Sequence, residues 1–99
     1  MKEVNLFKAL SNDTRLSIVS LLKKESLCAC KIMEAVDLSQ STVSHHMKIL
    51  EDSKIVHCTK KGKWHHYSLN FETLKSLELF FNALYQEKSI VGGGYSCDS

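Results

Sequence analysis

The stretch from Leu38 to Leu50, LSQSTVSHHMKIL, admits few folds. Ser39 is a good helix N-cap, because its hydroxyl can accept from the otherwise unpaired N–H groups of Ser41 or Thr42. Leu38 and Val43 on either side fit a hydrophobic staple. Val43, Met47 and Leu50 then recur at spacings of four and three, so one stripe faces a core and the opposite face is free. That free face carries Gln40, Ser41, Thr42, Ser44 and His45, short or planar hydrogen-bonding groups with almost no formal charge. A merely solvated helix would show Glu and Lys there, whereas this set suits base edges in a major groove. Just upstream, Leu27 to Val36 reads as a second short amphipathic helix with Leu27, Ile32 and Val36 inward, and only Asp37 and Leu38 stand between the two. Helices joined by so tight a turn cross steeply, as in a helix-turn-helix whose second helix enters the major groove.

Downstream, Ile55 to Thr59 and Trp64 to Leu69 are short runs rich in β-branched, aromatic and apolar residues, joined by KKGK. Gly62 supplies the positive φ of a tight turn, and Lys60, Lys61 and Lys63 crowd its tip. A basic hairpin in this position is a wing. Val4, Leu6, Phe7 and Leu10 form a first helix. Asn12-Asp13 caps a second, in which Leu16, Ile18, Val19, Leu21 and Leu22 make a broad apolar face. Asn70 caps a last helix whose Leu74, Leu77, Phe81 and Leu84 repeat at three, four and three. So many large apolar groups on a terminal helix predict a homodimer interface formed by Leu74, Leu77, Phe81 and Leu84, with Leu6 from the first helix. The expected fold is therefore mainly α with a small β-hairpin, a homodimeric winged helix-turn-helix. Its domain covers residues 1–89, and residues 90–99 form a flexible Gly-rich tail.

Charge is placed to match. The net charge is only +2, but residues 1–39 carry +1, residues 40–70 carry +3 and residues 71–99 carry −2, and all five histidines lie in the middle third. The basic surplus coincides with the groove-reading helix and the hairpin, as a phosphate backbone requires. No apolar run is long enough for a signal sequence or a membrane span, so a cytoplasmic protein is expected, with no membrane partner. In that compartment four cysteines do not predict structural disulfides; metal binding or redox sensing is the better default for any that cluster.

In this order, FKALSNDTRLSIVSLL, LCACKIM, LSQSTVSHHMKIL and KKGKWHHYSL resemble the ArsR family of winged-helix metalloregulators, over about Leu6 to Leu84. The resemblance implies a bacterial or archaeal repressor that binds double-stranded operator DNA as apoprotein and leaves it when a metal or metalloid binds. LCACKIM lines up with the segment in which arsenic-, cadmium- and lead-responsive members carry a Cys-x-Cys pair, so Cys28 and Cys30 inherit the ligand role. Soft thiolates favour arsenite or antimonite as inducer, with cadmium or lead as alternatives. Where the arsenic-responsive pattern often has a third cysteine, this chain has Met33. The third ligand is then Cys97, Cys58, Met33 or solvent; Cys97 is favoured because the Gly-rich tail gives it reach. The zinc site that other members build on the last helix has no counterpart in NFETLKSLELFFNALYQEK. Two residues apart on a regular helix, Cys28 and Cys30 would point about 200° away from each other. Binding one ion is therefore expected to open the first turn of their helix.

Two other functions compete. The cysteines could serve a thiol-redox-sensing repressor, and a winged helix can be a protein-interaction module without sequence-selective DNA binding. No nucleophile, base and oxyanion donors assemble by motif, so no enzyme is expected, and DNA binding needs no cofactor.

Overall fold

In a computed structural model, backbone is described for residues 1–91 and side chains as far as Gln86; Cys97 and most of the expected tail lie outside the described residues. The order is α1 (Lys2–Leu10), α2 (Asp13–Leu21), β1 (Leu27–Cys28), α3 (Ala29–Val36), α4 (Gln40–Asp52), β2 (Val56–Lys61), β3 (Trp64–Leu69) and α5 (Phe71–Val91). The strands form an antiparallel sheet in the order β1-β3-β2.

Local chemistry explains most boundaries. The Asn12 side chain accepts from the Arg15 N–H at 3.1 Å and starts α2. The Ser39 hydroxyl accepts from the Thr42 N–H at 3.3 Å and starts α4. Asn70 Oδ1 accepts from the N–H groups of Glu72 and Thr73 at 3.1 and 3.4 Å and starts α5. Asp37, in the left-handed conformation at φ 55°, ends α3, and the N–H groups of Asp37 and Leu38 both donate to the Met33 carbonyl, at 2.8 and 3.4 Å. This is the Schellman type of helix ending, which here compresses the link between α3 and α4 into three residues. Gly62, at φ 65°, turns β2 into β3. The hairpin register pairs Val56 with Leu69 and Lys61 with Trp64, so the strands run closer to the tip than the sequence indicates.

Ile18, Ile32, Val43, Met47, Leu50 and Ile55 form the fully buried centre. Each of α2, α3, α4 and the β2 approach sends one or more residues into it, so the two helices of the helix-turn-helix share a core with the base of the wing. The stripe on α4 is inward as its spacing requires.

Three expectations need correction. Leu27 and Cys28 are not helical: they are extended and pair with Tyr67 and His66 on the outer edge of β3, which satisfies that edge and makes a third strand. Leu16 and Leu21 are exposed on α2, whose inward positions are Ile18 and Leu22. Leu6 and Leu77, expected at a subunit interface, are buried inside the protomer at 2% and 8% exposure. Helical periodicity identifies a face without saying what covers it, and here the protomer's own core takes the inner edge of that face.

Candidate functional site

The polar face of α4 stands free. Gln40, Ser41, Ser44 and His45 are exposed, while Thr42 is half-buried and partly occupied with the cap, its Oγ1 accepting from the Ser39 hydroxyl at 3.0 Å. Four of the five expected groove-facing side chains are thus open to a ligand, and the fifth also helps to start the helix. Beside α4, β2 packs directly on it and carries Lys60 and Lys61 outward, with Lys63 in the turn; all three are exposed. Trp64 joins them, half-exposed and cross-strand from Lys61. The fold therefore holds a neutral, hydrogen-bonding helix next to a cationic hairpin. Such an arrangement places base-edge contacts on one element and phosphate contacts on the other.

A second cluster lies at the start of α3. Cys28 is the N-cap of that helix, with extended backbone at φ −77° and ψ 160°, and Cys30 is in the first turn. Because Cys28 is not helical, the two side chains do not diverge: their Sγ atoms are 2.7 Å apart. The helix-based expectation of opposed thiols is overturned by the strand, since the 200° figure applies only when both residues are in the helix. Cys30 is exposed and Cys28 partly so. The hydrogen bond from the Cys30 thiol holds Cys28 below the ordinary thiol value, and the N–H of Lys31 at the start of α3 adds to it. Cys30 is pushed up by the same contact, then by burial. Two adjacent sulfurs, one with its anion favoured by the other, make a soft, two-donor site.

The other thiols are placed differently. Cys58 pairs with Tyr67, next along β3 from His66, the residue opposite Cys28. Neighbouring strand residues point to opposite faces, so Cys58 lies on the other face of the sheet from Cys28. Its Sγ is 3.4 Å from His65 Nδ1. Burial, then the Glu51 carboxylate, pushes its thiol up, and burial pushes the neighbouring Tyr67 phenol up to about 12. Cys58 is a protonated packing residue. Met33 is half-buried against the core. Among the described residues no three His, Cys, Asp or Glu side chains converge as a complete metal site. The described chain therefore fits a thiophilic centre with two donors, and Cys97 falls outside the described residues.

Sequence reasoning missed one polar contact, between Arg15 on α2 and His46 on α4, with NH1 and Nδ1 3.1 Å apart. No local signal marks a pair separated by 31 positions.

On α1 and α5, Phe7 packs against Phe80 and Phe81 with ring centroids 6.1 and 5.9 Å apart. Val4, Phe7, Leu79, Phe81, Leu84 and Tyr85 remain exposed. Of the expected interface, Phe81 and Leu84 are on this apolar surface, Leu74 is half-buried, and Leu6 and Leu77 lie beneath it.

Comparison with known proteins agrees with this architecture. The family model "Bacterial regulatory protein, arsR family" matches residues 12–57, from the α2 cap to the start of the wing. The arsenical resistance operon repressors of Staphylococcus xylosus and Staphylococcus aureus are 46% identical over 69 residues and 43% identical over 72 residues. Those alignments cover 70% and 73% of this chain, and 66% and 69% of the relatives, so the chain spans about two thirds of their length. Among solved structures, the homodimeric winged helix-turn-helix DNA-binding domain Mb0332 of Mycobacterium bovis superposes with a TM-score of 0.71 at 21% identity, covering 96% of this chain and 88% of that one.

Proposed function

The chain belongs to the arsR family of bacterial regulatory proteins, and from that premise we propose that it is a cytoplasmic repressor released from its operator when a thiophilic metalloid or metal binds Cys28 and Cys30. Its relatives are transcriptional regulators, so the chain is a regulator and not an enzyme. Arsenite or antimonite is the inducer, and a homodimer is the DNA-binding unit. No described helix is long and apolar enough to cross a membrane.

The observation that carries this reading is the pair of sulfurs 2.7 Å apart at the N-terminus of α3. With metal–sulfur bonds near 2.3 Å and tetrahedral angles, two thiolates stand about 3.7 Å apart. Cys28 and Cys30 already lie together at the start of α3, so rotation of their side chains brings both sulfurs to one ion and the helix need not open. Cys28 is tied to the wing through β1 and His66, and Cys30 belongs to α3, which packs on α4. An ion held by both sulfurs, and by its further ligands, then joins the wing to α3 and works against the alignment of the wing with the reading helix. The ligand shifts that balance only by its higher affinity for the DNA-released conformation. The third donor is Cys97 or solvent, since Met33 serves the core and Cys58 faces away.

The same sulfurs favour a second reading, oxidation of the pair as the release signal. The test is release of upstream DNA of the chain's own gene by a panel of arsenite, antimonite, cadmium, lead, zinc and mild peroxide under reducing and non-reducing conditions. Release by arsenite or antimonite with thiols kept reduced supports the proposal. Release by peroxide alone would replace it with redox sensing.

A further inference from the structure

Arg15 ties three helices together. Its Nε–H donates to the Ala9 carbonyl at 2.6 Å, near the end of α1, and its NH1 lies 3.1 Å from His46 Nδ1 on α4. Its backbone N–H donates into the Asn12 cap of α2. A guanidinium only donates, so Nδ1 must be the acceptor and the ring proton must sit on Nε2. Both side chains are half-buried, in contrast to the adjacent exposed His45.

We propose that Arg15 and His46 are positioning residues for sequence-selective DNA binding, fixing the roll of α4 against the scaffold of α1 and α2. This rests on the reading of α4 as the DNA-reading helix. Val43, Met47 and Leu50 bury one stripe of α4, but apolar packing is non-directional and tolerates small rotations of a helix about its axis. Direct readout does not, because bidentate contacts to base edges require fixed side-chain origins. The Arg15–His46 hydrogen bond is directional and flanks the buried stripe. Its other anchor is the carbonyl of Ala9 on α1, the helix that presents Phe7 to the exposed apolar surface. One side chain thus links the reading helix to the helix adjoining that surface.

The contact also has a defined protonation state. Burial first, then Arg15 and His45, hold the His46 ring below the ordinary imidazole value. Arg15 is the charge acting from α2 and His45 the one from α4 itself, while α3 and β2, which also pack on α4, supply none of the charges that act on the ring. From α1, Lys8 lines the groove that Arg15 shares with Asp52 of α4. Protonation would turn the acceptor into a second donor facing a guanidinium, and the contact would be lost.

The experiment selects duplexes from a random library with the parent protein at about pH 8, then measures affinity for the selected and for random duplexes down to about pH 5.5, the range in which imidazole titrates. The ratio of the two affinities removes the general gain that protonated histidines give on any DNA. His46→Ala should lower the ratio about tenfold at the upper pH, the usual effect of losing one charge-assisted hydrogen bond. His46→Asn keeps a carbonyl near the position of Nδ1 and cannot titrate. It should retain the ratio and lack the decline that the parent shows in acid. Retention of the ratio within about twofold by a folded His46→Ala protein, or an acid decline in His46→Asn equal to the parent's, would overturn the proposal. Should His46→Ala not fold, the pH profile of His46→Asn decides alone. Failure of the parent to enrich any sequence would remove the reading of α4 itself, and this proposal with it.

Discussion

In the proposed switch, Cys28 is the residue whose reactivity is most directly measurable. It is an extended N-cap whose sulfur lies against that of Cys30, a contact that favours its anion in the folded chain and disfavours that of Cys30. The consequences for stability have opposite signs. A lowered Cys28 value stabilises the fold above the ordinary thiol range, with the increment lost as pH falls through the folded value; the raised Cys30 value costs stability in the alkaline range. The two contributions oppose each other, and reactivity is the more direct probe of the pair. Alkylation of Cys28 by iodoacetamide should reach half its maximal rate at a pH below that of an ordinary thiol, and Cys30→Ala should move that midpoint up. An unchanged midpoint would show that Cys30 does not supply the stabilising hydrogen bond. None of this proximity was legible in the sequence: CAC reads as a helix, and the strand that straightens Cys28 is defined by its partner on β3, 38 residues away in the Cys28–His66 pair. Arg15 and His46 were hidden for the same reason.

At the scale of elements, α4 was readable almost in full, because its cap, its staple and its stripe are all set within one short segment. The hairpin was equally plain from Gly62 and its lysines. What remained open was whatever depends on a distant neighbour, such as β1 or the exposure of Leu16. The division of labour between α4 and the wing gives a direct expectation. Gln40→Ala or Ser44→Ala should cost roughly 1–3 kcal/mol on operator DNA and little on random DNA. Lys61→Ala should weaken both alike and reduce the salt dependence by about one charge. Titration of the three variants against both duplexes at several salt concentrations measures this. Equal losses on random and operator DNA for the α4 variants would remove direct readout by that helix.

For the whole molecule, the surface of Phe7, Phe81, Leu84 and Tyr85 on α1 and α5 is a large apolar area for a chain of 99 residues. A second copy is the natural cover, and two reading helices on two half-sites would follow. Phe81→Asp or Leu84→Asp places a charge there, where burial without a partner costs several kcal/mol. Sedimentation should show monomers, with operator affinity lost in parallel; a dimeric, operator-binding Phe81→Asp protein would move the interface elsewhere. Leu77 is unsuited to this test, because it is buried within the protomer and its replacement would damage the fold. In the proposed switch, the two sulfurs at the start of α3 release DNA held by α4 and the wing of the assembled dimer. This switch is tested most directly by titrating arsenite, under reducing conditions, into operator complexes of the parent, Cys28→Ser and Cys30→Ser proteins while following DNA release by fluorescence anisotropy. The parent should be released and both variants retained at the same arsenite concentration; parent-like release from either variant would contradict the proposed role of the two sulfurs.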